Sequence, residues 1–131
     1  MLMPSIAQYM TRQPWTIRRG AKLSQARAIM REHRIRHLPV LEGGKLVGIL
    51  SERDLYLMDR TGEAELAVEE AMTVDVYVAG TNDPVDEIVD QMAANKYGSV
   101  VVVNPRGNVE GIFTMVDGMQ VLADLLRRAA A

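Results

Sequence analysis

The feature that most constrains this chain is an internal repeat covering most of its length. Residues 6–41 align with residues 68–103 at an offset of 62, and a one-residue insertion in the following turn raises the offset to 63. The alignment matches the pairs Met10/Met72, Met30/Met92, Gly48/Gly111, Ser51/Thr114 and Asp54/Asp117. A duplication of this length predicts two copies of one supersecondary unit. It also provides an internal control, because a feature present in both copies is less easily accidental.

The repeat predicts two domains, residues 1–62 and residues 63–131. A repeat of roughly 60 residues buries little of its surface alone, so the two copies are expected to fold as one module. The chain is 48% hydrophobic and 24% charged, a composition typical of globular proteins.

Composition also excludes several classes of function. The net charge of −2 argues against a general nucleic-acid or membrane surface. The absence of cysteine removes disulfides, thiolate metal sites and cysteine nucleophiles. The first residues lack the pattern of a signal peptide, and no apolar run approaches the length of a membrane span. These features predict a protein of the reducing cytoplasm.

Hydrophobic periodicity predicts a strand, a helix, two strands and a second helix in each copy, an α/β fold. In copy two, Asp83 is the predicted N-cap and Pro84 the first helical residue. In copy one, the first helix is expected to end near His33 or Arg34. Gly43-Gly44 predicts a tight hairpin, since glycine tolerates positive φ at both positions.

The remaining elements follow from similar patterns. The apolar run Val100 to Val103 predicts a strand buried on both faces. Pro39 predicts that its strand either starts there or lies at a sheet edge. The last helix of copy one is predicted from about Glu52 to Arg60 and ends at Thr61-Gly62, and the segment from Glu63 to Glu70 is a partly helical connection. The last helix of copy two carries an apolar stripe of Met119, Leu122, Ala123 and Leu126.

The second helix of each copy begins with a hydroxyl residue followed three residues later by an aspartate. These pairs are Ser51 with Asp54 and Thr114 with Asp117. One interpretation is a capping box, worth about 1 kcal/mol and needing no ligand. The other is a nucleotide site, because a helix N-terminus attracts phosphate and an ionised carboxylate accepts hydrogen bonds from two adjacent ribose hydroxyls.

These junctions lie within segments that resemble a pair of CBS domains, often called a Bateman module. The segments are residues 34–55, which match the core of such a domain closely, together with residues 68–73 and 98–117. The resemblance implies two β-α-β-β-α CBS repeats related by a pseudo-twofold axis. It also implies binding of an adenosyl ligand (AMP, ADP, ATP, S-adenosylmethionine or NAD) in clefts between the repeats, with no obligatory cofactor.

The resemblance also implies roles for individual residues. Asp54 and Asp117 correspond to the ribose-binding aspartates, and Ser51 and Thr114 to hydroxyls that contact ribose or phosphate. The positions expected to lie against the base are Thr16, Ile17, Tyr77 and Val78, and those expected to face phosphates are Arg36, His37 and Arg53, with Ser99 at the equivalent position of copy two.

Copy two departs from copy one around its aspartate. Gly98-Ser99 replaces Arg36-His37, and Met115-Val116 replaces Glu52-Arg53. Lys96 and Arg106 are the nearest cations in sequence. We therefore expect the copy-one site to suit a charged phosphate tail, and the copy-two site to suit a less charged adenosyl ligand or to stay empty.

Other patterns in the sequence have simpler explanations. His33 and His37 could share a metal only on a continuous helix, which Pro39 argues against, so no metal site is predicted. The basic stretch of residues 31–37 is interrupted by acidic and apolar residues, which argues against nucleic-acid binding. Of the nine methionines, those at equivalent positions suggest core packing, whereas Met115 and Met119 could line a ligand cleft or a dimer face.

No grouping of nucleophile and base appears in the sequence, so no enzyme activity is predicted. The helices are expected to leave apolar faces for a homodimer. The predicted function is regulatory: a bound adenine nucleotide shifts the module between two arrangements and signals to an effector protein. The alternative is a ligand-free dimerisation or assembly module.

Overall fold

The computed structural model describes residues 2–59 and 65–131 of the chain. The first repeat contains β2 (Ile17–Arg18), α1 (Leu23–His33), β3 (His37–Glu42), β4 (Lys45–Ser51) and α2 (Glu52–Asp59). The second contains β5 (Val78–Gly80), α3 (Val85–Asn95), β6 (Ser99–Val103), β7 (Val109–Thr114) and α4 (Met115–Ala130). A short strand β1 (Thr11–Arg12) precedes them, and single 3₁₀ turns occur at Ile6–Gln8 and Val68–Glu70. The predicted β-α-β-β-α order is confirmed in both copies.

The chain packs into two compact units whose limits differ from the sequence repeats. The central unit is Pro14–Val76, and the terminal unit combines the residues up to Gln13 with Tyr77–Ala131. The predicted boundary between residues 62 and 63 lies outside the described residues, as does the predicted helix end at Thr61-Gly62. Each copy therefore contributes its opening segment to the unit built mainly from the other copy.

The exchange of opening segments rests on equivalent strand pairings. Thr11 of β1 pairs antiparallel with Ile112 of β7, and Thr73 forms an isolated antiparallel bridge with Ile49 of β4. Thr11 is the repeat equivalent of Thr73, and Ile112 is the equivalent of Ile49. The same connection is therefore made twice, once in each unit.

A glycine lies at each of these pairings and allows the two backbones to approach closely. A Cβ at Gly48 would lie 2.6 Å from Met72 Sδ and 2.9 Å from the carbonyl oxygen of Thr73. A Cβ at Gly111 would lie 2.5 Å from Met10 Sδ and 2.9 Å from the Thr11 carbonyl oxygen. The Met-Thr dipeptide of each copy thus packs against the strand glycine of the other copy.

Each of the two sheets leads into one strand-to-helix junction. In the central unit the order is β2-β3-β4, with β2 parallel and β4 antiparallel to β3. In the terminal unit the order is β1-β7-β6-β5, with β5 parallel and β7 antiparallel to β6. Val100, Val101 and Val102 of β6 are completely buried, which confirms the predicted strand with two buried faces.

The prediction that the strand of Pro39 either starts there or lies at a sheet edge is wrong, because β3 is the middle strand of the order β2-β3-β4. β3 begins at His37, and Pro39 is fully buried and pairs with Ile49 of β4. Proline is accommodated because β2 pairs only with Val40 and Leu41 of β3. Pro39 therefore lies beyond the stretch that β2 pairs, so its missing N–H interrupts no hydrogen bond of that short parallel ladder.

Helix ends follow the sequence signals in copy one but not in copy two. α1 ends at His33, as predicted, and Arg34 follows in the left-handed region (φ 55°). α3 begins one residue later than predicted, at Val85, with Pro84 as the N-cap. The carboxylate of Asp83 accepts the N–H of Gly80 (2.9 Å), so it stabilises the preceding turn and not the helix.

The hairpin turn and the core agree with the sequence predictions. Gly43 and Gly44 both have positive φ, as the two-glycine turn requires. The buried residues form two clusters, one around Phe113 and Val100 and one around Leu38 and Leu50. Met10 and Met92 belong to the first cluster, Met30 belongs to the second, and Met72 packs against the second. Core packing of these repeat-equivalent methionines is confirmed.

Among the residues that the structure describes, no helix is both long enough and apolar enough to cross a membrane.

Candidate functional site

In the central unit, β4 ends at Ser51 and α2 begins at the next residue, so the junction holds no intervening loop. The N–H and the hydroxyl of Ser51 both donate to Asp54 Oδ2, at 2.8 and 2.9 Å. The N–H of Asp54 donates back to Ser51 Oγ at 3.2 Å. This is the reciprocal capping box expected from the sequence.

The terminal unit repeats this arrangement where β7 meets α4. The N–H of Thr114 donates to Asp117 Oδ2 at 2.8 Å, and the Thr114 hydroxyl donates to the same oxygen at 3.3 Å. Burial raises the pKa of Asp117, and the hydrogen bonds from Thr114 act in the opposite direction. The carboxylate is therefore partly withdrawn from solvent, where hydrogen bonding to an added donor is stronger than in water.

The capping box does not exhaust the hydrogen-bonding capacity of either aspartate. All the capping bonds that the two carboxylates accept end on Oδ2, so Oδ1 of each carboxylate takes no part in them. Asp54 and Asp117 are both only half-buried. A carboxylate has about four acceptor sites, so capping and recognition of a diol are compatible.

The loop before each long central strand is tied to the same junction. The N–H of Glu52 donates to the carbonyl of Arg36 (2.8 Å), and at the equivalent place the N–H of Met115 donates to the carbonyl of Gly98 (3.3 Å). Since these N–H groups open α2 and α4, each bond holds its loop against a helix N-terminus. The backbone of Arg36 is thereby fixed beside Ser51 and Asp54.

His37 lies at the same junction, directly opposite Ser51 in the β3–β4 register. It is half-buried, and this burial lowers the pKa of its imidazole. The negative charges of Asp54 and Glu52 act to raise the pKa, and the positive charge of Arg36 acts to lower it. The structure thus brings His37, Ser51 and Asp54 together with the backbone of Arg36, and Arg36 and Arg53 are both exposed.

The positions expected to lie against a base differ in exposure. Ile17 in β2 is buried in the central cluster, and Thr16 just before it is half-buried. Val78 in β5 is exposed, and Tyr77 is half-buried, with its carbonyl accepting the N–H of Val101 at 3.0 Å. The side chains of Thr16, Tyr77 and Val78 are therefore accessible, while that of Ile17 contributes to the core.

Ser99 occupies the position equivalent to His37 and pairs with Thr114 in the β6–β7 register. The terminal junction therefore carries two hydroxyls and one carboxylate. The loop that delivers Ser99 contains Gly98 in place of Arg36. Lys96 is the left-handed C-cap of α3. Arg106 lies in the turn between β6 and β7, away from Ser99 and Thr114.

Sequence reasoning missed an aromatic pair in each unit. The ring of Trp15 stacks on His33 with centroids 3.8 Å apart and planes at 15°, and Tyr77 lies 5.1 Å from Tyr97. Trp15 and Tyr77 are repeat equivalents: Trp15 immediately precedes Thr16 and Ile17, and Tyr77 is itself one of the positions expected to meet a base. The sequence did contain a signal for these pairs, because the repeat alignment places the chain's single tryptophan opposite a tyrosine.

The two histidines lie on different elements. His33 ends α1 and stacks on Trp15, whereas His37 lies in β3, beyond the left-handed Arg34. Within residues 2–59 and 65–131, no group of three or more His, Asp or Glu side chains is placed to hold a metal ion.

The lowered pKa of His37 predicts a pH dependence of stability. The unfolded chain binds a proton at His37 at higher pH than the folded chain, so the free energy of unfolding is greatest above pH 6.5 and falls as the pH decreases from there toward the folded pKa. His37→Gln should flatten this part of the profile, as measured by urea denaturation above and below pH 6.5. Parallel profiles for the variant and the wild type would contradict this prediction.

Comparison with known proteins identifies the repeat. The CBS domain family model matches the chain twice, at residues 6–58 and 68–124. Inosine-5'-monophosphate dehydrogenase of Korarchaeum cryptofilum is 34% identical over 109 residues, which cover 83% of this chain. The chain spans 22% of the length of the first curated relatives it matches.

Solved structures show the same fold. A putative acetoin utilization protein (AcuB) from Vibrio cholerae is 31% identical with a TM-score of 0.86, over 96% of this chain and 95% of that one. The CBS domain pair of protein MJ0100, in complex with 5'-methylthioadenosine and S-adenosyl-L-methionine, is 27% identical with a TM-score of 0.85, over 94% of this chain and 98% of that one.

Proposed function

The chain belongs to the CBS domain family, and we propose that it is a regulatory module that binds an adenosyl nucleotide at its strand-to-helix junctions. The observation that carries the proposal is the duplicated junction itself. In both units a half-buried aspartate accepts the helix-capping bonds through one oxygen, which leaves the other oxygen out of these bonds. The MJ0100 domain pair, which has the same fold, is in complex with two adenosyl compounds, and this supports an adenosyl ligand here.

The chemistry of the central junction fits a ligand with phosphate. The ribose hydroxyls would donate to Asp54 Oδ1, and the first turn of α2 would present backbone N–H groups and the positive end of the helix dipole. Arg36, held at this helix end by its own carbonyl, would add a positive charge for the phosphate. We propose AMP, ADP or ATP as the ligand class for this junction.

The terminal junction fits an adenosyl group without phosphate. It keeps Thr114 and Asp117 for the ribose, but Gly98 and Ser99 stand where the central junction has a cation and an imidazole. The half-buried Asp117 would favour a ligand that is neutral or positively charged near the sugar. S-adenosylmethionine and 5'-methylthioadenosine meet this condition, so we propose that the two junctions differ in ligand preference.

A regulatory role follows if the ligand binds one arrangement of the module more tightly than another. Such a ligand shifts the population toward the arrangement it prefers, by no more than its difference in affinity for the two. We propose that an effector protein responds to this shift, that the module acts as a homodimer, and that it has no catalytic activity of its own. The two roles of each aspartate, in capping and in binding, would couple the ligand directly to the helix N-terminus.

Thermal unfolding in the presence of single compounds tests the proposal. AMP, ATP, S-adenosylmethionine and NAD should be compared, and a compound present at 100 times its Kd should stabilise the folded chain by about 2.7 kcal/mol. The matched control is the double variant Asp54→Ala/Asp117→Ala, in which the same compounds at the same concentrations should stabilise the folded chain much less.

An assembly module that needs no ligand is the second candidate. It is favoured by the capping boxes, which are complete without a ligand, and by the apolar surface of α4. Unchanged thermal unfolding with all four compounds would support this candidate against nucleotide sensing.

A further inference from the structure

The chain crosses from the terminal unit to the central unit between Gln13 and Pro14. On one side of the crossing, the N–H of Gln13 donates to the carbonyl of Glu110 in β7 at 3.2 Å. On the other side, the ring of Trp15 stacks on His33 at the end of α1. A single proline therefore separates a residue bonded to β7 from a residue packed on α1, and a proline with its fixed φ absorbs little displacement.

Gln13 has an uncommon backbone conformation at this crossing. Its φ is 48°, in the left-handed region that residues other than glycine adopt rarely. A residue that precedes proline is also biased toward extended conformations, so two local preferences of Gln13 are opposed. Strain of this kind persists only where surrounding contacts impose it, and it indicates a position that relaxes when those contacts are released.

A side-chain hydrogen bond holds the opening segment to α4. The hydroxyl of Tyr9 donates to Asp124 Oδ2 at 3.0 Å, and the Tyr9 ring packs against the buried cluster around Phe113. Gln120 Nε2 donates to Asp124 Oδ1 at 3.1 Å, so both oxygens of this carboxylate accept a bond. The residue equivalent to Tyr9 in copy two is Ala71, which has no hydroxyl. The Tyr9–Asp124 bond, here called the clasp, is therefore not required by the repeated fold.

The helix that carries the clasp also carries the aspartate of the terminal junction. Asp117 and Asp124 are seven positions apart in α4, which places them two helical turns apart on one stripe. A ribose on Asp117 would order the start of α4, and the same helix presents Asp124 to Tyr9. From Tyr9 the chain leads through Gln13 to Trp15, which directly precedes the positions expected to meet a base in the central unit.

We propose that the segment from Tyr9 to Ile17 couples the two junctions, so that a ligand at the terminal junction tightens binding at the central junction. The inference rests on the proposed function and adds a regulatory property, which is positive cooperativity between the two ligands. The clasp is formed in one state of the chain and open in the other, and a ligand on Asp117 favours the formed state. Ordering caused by the first ligand is not repeated for the second, so the second binds more tightly.

Isothermal titration with two compounds measures this coupling. AMP should bind the wild-type chain about fivefold or more tightly in saturating S-adenosylmethionine than without it. Tyr9→Phe removes only the hydroxyl of the clasp, so this enhancement should fall below about twofold while each compound alone keeps its wild-type affinity. Tyr56→Phe is the matched control, because Tyr56 lies on α2 and is 62% exposed, and it should keep the full enhancement. Unchanged or weaker AMP binding to the wild type in S-adenosylmethionine would overturn the coupling.

Gln13→Gly separates coupling from stability. Glycine adopts a φ of 48° without strain, so the variant should unfold at about the wild-type urea midpoint. The same freedom lets the crossing bend, so the enhancement of AMP binding should fall as it does in Tyr9→Phe. Full enhancement in Gln13→Gly would show that the crossing transmits nothing and would refute the proposal.

Trp15 fluorescence tests the connection between Tyr9 and Trp15 without any ligand. The chain has one tryptophan, so quenching by acrylamide reports on Trp15 alone. Tyr9→Phe should raise the quenching constant and Tyr56→Phe should leave it unchanged, whereas equal quenching in Tyr9→Phe and the wild type would overturn the connection. If AMP and S-adenosylmethionine both bind and neither affects the other, the coupling fails and nucleotide sensing stands. If neither compound binds, nucleotide sensing fails and cooperativity fails with it.

Discussion

Replacing Asp54 with alanine is expected to weaken binding of a phosphate-bearing adenosyl ligand by roughly ten- to a hundredfold. Hydrogen bonds to a charged acceptor contribute about 1.5–3 kcal/mol each to a complex, and the ribose diol would lose its acceptor. The variant also loses the acceptor for the Ser51 N–H, so the free energy of unfolding should fall by about 1 kcal/mol. Isothermal titration with AMP and urea denaturation measure the two effects separately.

The variant Asp54→Asn separates ligand binding from capping. An asparagine keeps one oxygen, which can still accept the N–H of Ser51, but its second position is an amide that donates. Affinity should therefore fall nearly as far as in Asp54→Ala, while stability stays close to the wild type. Wild-type affinity in Asp54→Asn would contradict the assignment of Oδ1 to the ribose. Asp117→Asn provides the same comparison for the terminal junction.

Gly111→Ala and Gly48→Ala are expected to destabilise the chain strongly. In each case the added Cβ would overlap a methionine side chain and a backbone carbonyl oxygen 2.9 Å away. A methionine can change rotamer, but the carbonyl belongs to a paired strand or bridge and cannot move without breaking that pairing. Overpacking of this kind costs about 1–3 kcal/mol.

Urea denaturation of the two glycine variants tests this packing. Gly20→Ala is the matched control, because a Cβ there meets nothing within 4 Å and the residue does not have positive φ. The control should unfold at the wild-type midpoint. If Gly111→Ala shares that midpoint, the close approach of Met10 and Thr11 is not a significant constraint on the fold.

Both predictions concern features that recur in the two copies, and recurrence made much of the molecule predictable. Apolar periodicity placed the helices, and the two-glycine turn placed the first hairpin, because local sterics and amphipathicity suffice for both. The junctions were predictable for the same reason: a hydroxyl residue and an acid three positions apart satisfy the free N–H groups of a helix start. The family relationship then followed from the same residues.

Two local predictions failed because a tertiary contact overrode a local preference. Pro39 usually marks a strand end, but here β2 is too short to reach it, so a proline fits within β3. Asp83 is a good N-cap residue, but its carboxylate is taken by the N–H of Gly80 in the turn before the helix. In both cases the deciding partner is a backbone group whose position the local pattern does not specify.

The sequence by itself determined the repeat, its α/β elements, the core methionines and the two aspartates that cap helices, since each depends on residues close together in the chain. Only the tertiary structure decided that the opening Met-Thr segment of each copy packs on the glycine of the other. That contact joins residues about a hundred positions apart in the terminal unit, and strand pairing at such a distance leaves no periodic trace in the sequence. The structure also decided that the apolar stripe of α4 faces outward, because periodicity identifies an apolar face but not what covers it.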